Sequence, residues 1–319
     1  MNRKTLILGA VLIILIALAY AYQGPLKKWQ NNLGKPKNIL AKINVGLIDK
    51  IEIIYPVRNS EGSQRKISNG VDQGKTLTLA KQNQKWKYDN SKDFYADPAA
   101  MAKVFTELKT AADSEVELVS NNQDRKSEFK TDASGLEIKI YQADKQSAAF
   151  IVGARAGDYV SSYISLPGSA VTYAVKADLP GAFNPVDWRD STIFSTPKEK
   201  INKIRFQYPN REFTVELKDG GWIGVLPEKF AVKSEKIEPV LNIMSNLKAA
   251  EIPAQVFADT GLDKHLIIIE ASGEGINNIL MVGGAGGALH YAKRGDSDNI
   301  YLISKEERDE LDKWSWQLR

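Results

Sequence analysis

The residues best suited to catalysis or metal binding are sparse, and the chain has only two histidines, His265 and His290. A metal site needs three or four converging ligands, and a zinc protease presents them as His-Glu-x-x-His; neither histidine belongs to such a spacing. A serine hydrolase needs a nucleophile in a Gly-x-Ser-x-Gly turn together with a histidine base, and the sequence lacks that motif. The pattern therefore predicts no catalytic residue, no metal and no cofactor, and we interpret both histidines as surface or strand-edge side chains.

One glycine-rich run, Gly283-Gly284-Ala285-Gly286-Gly287, offers bare backbone N–H groups of the kind that bind phosphate. It follows a predicted strand, as phosphate-binding loops do. It lacks their Lys-Ser/Thr ending, however, and it opens another strand instead of a helix. We therefore interpret it as a hairpin turn or a β-bulge, because glycine is suited to both.

Carboxylates occur in three short groups. Asp296-Ser297-Asp298-Asn299 carries oxygen ligands of the type that calcium prefers, but the spacing and closing glutamate of an EF-hand are missing, which favours a solvated turn. Asp187 with Asp190, and Glu306 with Glu307, have the chemistry for general acid and base work. Because no other member of an active site accompanies them, we interpret these pairs as solvated charges or helix-terminal residues.

The composition narrows the class of protein. The 319 residues include 43 basic and 39 acidic ones, and the net charge of +4 is dispersed along the chain, unlike the cationic surface of a nucleic-acid-binding protein. The absence of cysteine rules out disulfides, thiolate nucleophiles, cysteine-ligated zinc and a lipid-modified cysteine anchor. With 43% hydrophobic residues, the chain is expected to fold into one large domain or two ordinary ones.

A single apolar segment near the N-terminus has the length of a transmembrane helix. Residues 6–21 contain no charged side chain. About 20 helical residues cross the hydrocarbon core of a bilayer, and residues 5–25 supply that span. We therefore predict a membrane anchor over residues 1–25. The predicted membrane-spanning residues include Leu6, Ile13, Ile16 and Ala21.

A cleaved signal peptide is the alternative interpretation of this segment. Ala19-Tyr20-Ala21 has the small-x-small pattern of a cleavage site, and the apolar run follows the basic residues Arg3 and Lys4. The uncleaved anchor is favoured because the run is long for a signal peptide and the helix-ending Gly24-Pro25 lies beyond the cleavage site. We expect a cytoplasmic N-terminus and an exported remainder.

Residues 26–46 are predicted to form a membrane-proximal connector, and after them one pattern of elements occurs twice. Residues 50–56 and 203–209 are alternating apolar runs closed by Tyr-Pro, as expected for a half-buried strand that ends in a turn. The second predicted strands, with the tryptophans that follow them, are residues 76–79 with Trp86 and residues 213–217 with Trp222.

An amphipathic helix comes next in each half. Asp97 and Ser234 are the predicted N-caps, and Pro98 fits the first helical position. Pro239 is at odds with the second helix, because a proline beyond the first turn removes a helical hydrogen bond. The predicted buried faces are Met101, Val104, Phe105 and Leu108 in the first helix and Ile237, Val240, Leu241, Met244 and Leu247 in the second.

The remaining strands repeat in the same order in both halves. The matched segments are residues 136–140 with 266–269, 151–153 with 281–283, Tyr163 with Tyr291, and residues 173–175 with 301–303. Because most aromatic residues recur at equivalent positions, we expect them to pack in the cores and not to stack on sugars.

The elements together predict an α+β fold. It consists of a tandem repeat of mainly antiparallel β-sheet units, each with a packed helix, after one N-terminal transmembrane helix. The predicted repeats cover residues 47–195 and 196–319. Residues 180–185 read as a turn-rich joint between them, and Ser304 to Glu307 form the capping box of a last short helix.

At this point the sequence resembles a known family. The order of Trp86-Lys87-Tyr88, the Asp97-Pro98 helix, the Ile151-Val152-Gly153 strand and the Trp188-Arg189 segment is similar to the domain of unknown function 4340, over roughly residues 50–195, and the second half looks like a diverged further copy. The resemblance implies a bacterial, membrane-tethered envelope protein. Some members are encoded beside components that resemble auxiliary subunits of gliding-motility ABC transporters. The family has no established catalytic residues to carry over.

Three functions are compatible with these observations. The favoured one is a non-enzymatic accessory or scaffold protein, single-pass in a bacterial inner membrane with its bulk in the periplasm, that binds another envelope protein such as an ABC-transporter component. The alternatives are a binding module for envelope polysaccharide or peptidoglycan, which predicts exposed Trp or Tyr rings along a groove, and a hydrolase, which predicts converging polar residues in a pocket. Nucleic acid is not an expected partner.

Overall fold

The computed structural model describes residues 36–57, 74–88 and 93–319, together with Ile14 and Tyr20. The predicted membrane-spanning residues Leu6, Ile13, Ile16 and Ala21 lie outside this described part. Within the described part, no helix combines the length and the apolar character needed to span a bilayer.

Antiparallel strands dominate the described residues, and helices are few. The strands are β1 Lys50–Ile54, β2 Thr76–Gln82, β3 Lys85–Tyr88, β4 Val116–Ser120, β5 Leu136–Gln142, β6 Lys145–Arg155, β7 Ser162–Ser165, β8 Thr172–Val175, β9 Thr192–Ser195, β10 Ile201–Tyr208, β11 Arg211–Lys218, β12 Gly221–Leu226, β13 Phe230–Ala231, β14 Asn246–Lys248, β15 Ile267–Gly273, β16 Ile276–Gly286, β17 Leu289–Arg294 and β18 Ile300–Ile303. The α-helices are α1 Pro98–Asp113, α2 Lys126–Phe129, α3 Leu179–Ala182, α4 Ser234–Ser245 and α5 Lys305–Leu311. Short 3₁₀ helices cover Val45–Leu47, Gln123–Arg125, Lys198–Lys200, Leu262–Lys264 and Ser315–Leu318. The predicted α+β class with mainly antiparallel sheets is confirmed.

The chain forms two compact units. Among the described residues, the first unit contains β1 and Lys103–Asn184, and the second contains Thr76–Ala102 and Pro185–Arg319. In the first unit the strand order is β1-β5-β6-β7-β8-β4. In the second unit one sheet has the order β13-β12-β11-β10-β15-β16-β17-β18, β14 pairs with β9, and β2 forms a hairpin with β3.

Alternating apolar residues build the core of the first unit. Ile51 and Ile53 of β1 are fully buried, and they lie opposite Ile140 and Ile138 of β5. Successive side chains of a strand point to opposite faces, so the intervening residues of β1 occupy the other face of the sheet. The alternation in residues 50–54 thus determines which face is buried, as predicted.

Alternating apolar residues also build the core of the second unit. Ile204 and Phe206 of β10 are buried opposite Ala271 and Ile269 of β15. Phe206 also pairs with Phe213 of β11, with ring centroids 4.4 Å apart in a stacked geometry. The strand order β10-β15-β16-β17-β18 is the same as β1-β5-β6-β7-β8 in the first unit.

A β-bulge interrupts equivalent strands in both units. The pairing of β6 with β7 shifts register between Val152 and Arg155, and that of β16 with β17 shifts between Val282 and Ala285. The chain continues from β16 into β17, which confirms the predicted hairpin turn or bulge in the glycine-rich run. Gly153 and Gly283, which the sequence comparison matched, thus lie at the register shifts of β6 and β16 respectively.

The first predicted helix is confirmed and the second needs correction. Asp97 accepts hydrogen bonds from the N–H groups of Ala99 and Ala100 at 3.2 and 3.3 Å, which caps α1. Ser234, the other predicted N-cap, is instead the first residue of α4, because Lys233 already holds the extended backbone of the cap position.

The end of α4 also differs from the prediction. Asn246 adopts φ −143° and ψ 95°, which ends the helix after Ser245. Leu247 is buried, as predicted, but it lies in β14 opposite Phe194 of β9 and not on the helix. Pro239 is accommodated inside α4.

The predicted cap of α5 is present, and the predicted joint at residues 180–185 is partly helical. Ser304 accepts a hydrogen bond from the N–H of Glu307 and the Glu307 carboxylate accepts one from the N–H of Ser304, which confirms the capping box of α5. Residues 180–185 contain the end of α3, whose first turn is capped by Asp178, so this stretch is more helical than the predicted joint.

Candidate functional site

The second unit contains a cleft of about 470 Å³. Its walls come from the segment before α1, from β9 and from the β17–β18 hairpin, which are far apart in the sequence. Its lining residues include Lys85, Tyr95, Asp190, Arg294, Asp296 and Asn299. A concave site with converging polar groups is the usual starting point for a binding-site hypothesis.

Arg294 is held in place on the cleft wall by three hydrogen bonds. Its Nε and Nη2 donate to the two carboxylate oxygens of Asp296 at 2.8 and 2.7 Å, and its Nη1 donates to the Ile193 carbonyl at 2.9 Å. The hydrogen bond and charge of Asp296 raise the pKa of Arg294, and Arg294 in turn lowers the pKa of Asp296. The guanidinium therefore stays charged and fixed in one orientation.

Asp190 is positioned through its backbone and one carboxylate oxygen. Its N–H donates to the Tyr95 carbonyl at 2.8 Å, and its Oδ1 accepts from the N–H of Thr192 at 2.9 Å. Among the described residues, Oδ2 has no hydrogen-bond partner. Asp190 Oδ2 is thus an available hydrogen-bond acceptor, on a side chain that is held in place in the cleft.

Two asparagines in the cleft wall differ in the hydrogen bonds that their side-chain amides form. The Nδ2 of Asn278 donates to Thr196 Oγ1 at 2.9 Å and to the Met244 carbonyl at 2.7 Å. Asn299 is only 5% exposed, and its Oδ1 is buried without a hydrogen-bond partner in the described structure. An unpaired buried carbonyl is unfavourable and rare in folded proteins.

Aromatic rings form the rest of the cleft. Phe94 and Tyr301 are buried and meet edge to face, with centroids 5.7 Å apart. Tyr95 is 37% exposed, and the ammonium group of Lys85 lies 5.3 Å from the centroid of its ring. Tyr95 is therefore the aromatic lining residue with substantial accessible surface.

The first unit has a shallow depression of about 650 Å³ beside the loop between β6 and β7. At the tip of this loop, Tyr159 and Val160 are 83% and 55% exposed. Tyr159 has a positive φ of 61°, which is uncommon for a residue with a side chain. Asp158 fixes the loop by accepting from the N–H groups of Val160 and Ser161 at 3.1 and 2.8 Å.

An ion-pair network lies along this depression. Both side-chain oxygens of Asp178 accept hydrogen bonds from Arg155 at 2.8 Å, and Lys103 approaches to 3.2 Å. Partial burial acts to raise the pKa of Asp178, but the hydrogen bonds from Arg155 and the Gly181 N–H outweigh it and leave the pKa below its usual range. The surface therefore combines an exposed tyrosine with fixed charges.

The two histidines lie apart from both surfaces. His265 is exposed, with a positive φ of 48°. His290 is half-buried in β17, and its Nδ1 has no partner in the described structure. Burial lowers the pKa of His290, and the nearby Arg308 lowers it further. Among the described residues, no group of three or more histidines, aspartates or glutamates is arranged to hold a metal.

Carboxylates that are neighbours in the sequence have different surroundings in the structure, and the cleft brings together carboxylates that are distant in the sequence. Asp187 forms a salt bridge with Arg189 at 2.7 Å, Glu307 belongs to the capping box, and Asp190 lies in the cleft. Asp296 and Asn299 of the predicted solvated turn line the same cleft. More than one hundred positions separate Asp190 from Arg294, so periodicity and local motifs carry no signal that would join them.

The tryptophans divide into two groups. Trp188 and Trp222 are buried, in agreement with the predicted core packing. Trp314 and Trp316 are 50% and 65% exposed near the end of the chain, and the Arg211 guanidinium lies 4.2 Å from the ring centroid of Trp314. Trp86, the predicted counterpart of Trp222, is half-buried, so core packing accounts for Trp222 fully, for Trp86 in part, and not for the tryptophans after α5.

Comparison with known proteins gives a family and no closer relative. The family model described as Domain of unknown function (DUF4340) matches residues 86–265, which is more than half of the chain. The match begins in β3 and ends just before β15, later at both ends than the sequence resemblance indicated. No curated protein and no solved structure matches the chain.

Proposed function

The chain belongs to the domain of unknown function 4340 family, and from that premise we propose that it is a non-enzymatic accessory or scaffold protein of the bacterial envelope. In this proposal the N-terminal segment anchors it in the inner membrane. The two units then stand in the periplasm and bind another envelope protein, such as an ABC-transporter component.

The proposal includes a tandem duplication. Its support is the shared strand order β1-β5-β6-β7-β8 and β10-β15-β16-β17-β18, with a bulge at Gly153 in one unit and at Gly283 in the other. At both bulges a backbone carbonyl oxygen lies closer than van der Waals contact to the position a Cβ would take, Phe129 O at Gly153 and Thr260 O at Gly283. Two unrelated units have no physical reason to share this detail.

The observation that carries the proposed protein-binding role is the exposed loop of the first unit. Tyr159 and Val160 project from a backbone that Asp158 holds in place, so little conformational entropy remains to be lost when a partner binds. Tyrosine and arginine are enriched among the residues that dominate binding energy in protein interfaces, and here Tyr159 lies beside Arg155.

The experiment uses the absence of cysteine from the chain. In a Gly157→Cys variant, which keeps Tyr159 and adds a side chain into open space in the same loop, the introduced thiol is the only one on the protein, so a thiol-directed photocrosslinker in intact membranes reports on this loop alone. We expect one dominant crosslinked envelope protein. The matched control is Leu118→Cys, an exposed residue of β4 in the same unit.

Two outcomes would count against the proposal. Recovery of the same proteins from both thiol positions indicates non-specific proximity. Recovery of no envelope protein from the Gly157→Cys variant, in membranes where the chain is present at its normal level, contradicts a partner at this loop.

A further inference from the structure

We propose that the cleft of the second unit binds a neutral polyhydroxylated ligand, a short stretch of an envelope glycan. The proposal is independent of the protein partner of the first unit. It rests on which polar groups in the cleft remain without partners, on their fixed orientation, and on the one accessible aromatic ring.

The donors come from Arg294. A guanidinium has five N–H donors, and the contacts to Asp296 and Ile193 use three of them. Two N–H groups therefore have no partner in the part of the chain that the structure describes, on a side chain whose orientation is already fixed. A rigid, planar pair of donors is suited to two neighbouring oxygens of one ligand.

The acceptor comes from Asp190. Asp190 Oδ2 is without a partner among the described residues, while Oδ1 is used by Thr192. Asn299 also forms part of the cleft wall, but its Oδ1 is buried and out of reach of a ligand in the cleft. A ligand that brings O–H donors would satisfy Asp190 Oδ2, and a sugar hydroxyl can donate to one residue and accept from another.

The cleft carries charges of both signs and so favours neither a cation nor an anion. Lys85 and Arg294 repel a cation that Asp93, Asp190 and Asp296 attract, and the reverse holds for an anion. A neutral ligand with alternating donors and acceptors avoids both conflicts. An apolar ligand is disfavoured as well, because it would leave the free groups of Arg294 and Asp190 without water or partners.

The ring of Tyr95 supplies the apolar contact. At 37% exposure the ring is partly accessible to a ligand, and the hydrogen bond from the Asp190 N–H to the Tyr95 carbonyl holds the two backbones together. An amphipathic ring of this kind contacts the C–H face of a sugar while hydroxyls reach the polar groups. The volume of about 470 Å³ lies in the range of small-ligand sites, about 300–1,000 Å³.

The test is direct binding of defined probes to the purified full-length chain in detergent, by saturation-transfer NMR and calorimetry. The probes are chitotetraose, maltotetraose and cellotetraose, with tetra-alanine as a peptide of similar size. We expect at least one oligosaccharide to bind and tetra-alanine not to bind.

Variants place the binding in the cleft. We expect Tyr95→Ala and Asp190→Asn each to weaken the saccharide affinity about tenfold or more, which corresponds to about 1.4 kcal/mol. Tyr159→Ala, an exposed tyrosine of the other unit, is the matched control and should leave the affinity unchanged. Thermal unfolding of each variant identifies loss of binding through misfolding, and Tyr95→Phe, which keeps the ring, should retain binding.

Three results overturn the inference. The first is the absence of binding by all three oligosaccharides at millimolar concentration. The second is saccharide binding that Tyr95→Ala and Asp190→Asn both leave unchanged while the variants remain folded. The third is binding of tetra-alanine in place of the saccharides, which would assign the cleft to a peptide.

Discussion

The glycine at each bulge allows a neighbouring backbone segment to approach closely. A Cβ added at Gly153 would lie 2.2 Å from the carbonyl oxygen of Phe129, and a backbone atom has less freedom to move away than a flexible side chain. The same constraint exists at Gly283, where Thr260 O would lie 2.4 Å from an added Cβ. Glycine is therefore required at these two positions because a neighbouring backbone carbonyl leaves no room for a Cβ, and not because glycine makes the backbone more flexible.

The first prediction follows from this contact. Gly153→Ala should lower the free energy of unfolding by about 1–3 kcal/mol, the usual range for forced overpacking. The measurement is chemical denaturation followed by tryptophan fluorescence. Gly157→Ala is the matched control, since no atom lies within 4 Å of its added Cβ. Equal stability of both variants would show that the approach to Phe129 is not constrained.

A second prediction concerns Tyr208, whose hydroxyl donates to the Leu311 carbonyl at 2.7 Å and accepts from the Lys313 N–H at 2.9 Å. Burial raises its pKa to about 12. Because the pKa is higher in the folded than in the unfolded chain, this stability is complete below about pH 10 and is lost as the pH rises towards 12. We expect a loss of about 2–3 kcal/mol in the free energy of unfolding over that window.

Denaturation at pH 9, 10, 11 and 12 follows this loss, and Tyr208→Phe provides the control. The variant lacks the hydroxyl, so it should be less stable at pH 8 by about 1–3 kcal/mol and should show a shallower dependence on pH. Parallel pH curves for the two proteins would assign the alkaline loss to other groups.

At the scale of elements, α5 depends on its capping box. Ser304→Ala removes the acceptor for the Glu307 N–H, and we expect a loss of about 1 kcal/mol in the free energy of unfolding. Ser127→Ala, on the exposed surface of α2, should change stability by less than about 0.5 kcal/mol. Thermal denaturation compares the two. If Ser304→Ala proves as stable as Ser127→Ala, the cap does not stabilise this helix.

Elements set by short-range patterns were predictable from the sequence. The alternation in residues 50–54 and the Asp97-Pro98 helix start depend on neighbouring residues, so the sequence alone determines them. Leu247 shows the limit of this reasoning. Its spacing continues the apolar face of α4, but the chain leaves the helix after Ser245 to pair with β9, and the position of β9 depends on the tertiary fold.

The cleft lies beyond sequence reasoning for a related reason. Asp190, Arg294 and Asn299 belong to different strands and turns, and each has an ordinary local explanation as a turn or surface residue. Only the pairing of the strands in the second unit brings them to one cleft. The sequence could identify them as polar residues without a motif, but it could not place them together.

At the scale of the whole molecule, the two interpretations of residues 1–25 predict different locations of the mature chain. An uncleaved anchor keeps it in the membrane, and a cleaved signal peptide releases it. If residues 1–25 anchor the protein, it should remain with membranes after extraction at high pH and enter the detergent phase, and N-terminal sequencing should find residues before Tyr22. Deletion of residues 1–25 is the control and should give a chain that leaves the membrane fraction. A mature chain that starts at Tyr22 would show cleavage after Ala21 and a released protein.

The position of the cleft along the chain has a consequence for biosynthesis. Arg294 and Asn299 are in the β17–β18 hairpin, close to the C-terminus, whereas Tyr95 is made some two hundred residues earlier. The cleft cannot assemble until β17 and β18 have left the ribosome. A chain cut short by premature termination or proteolysis before β17 would keep the strands of the first unit and lack this cleft. Ligand binding at the cleft would therefore distinguish chains that contain the β17–β18 hairpin from chains truncated before it.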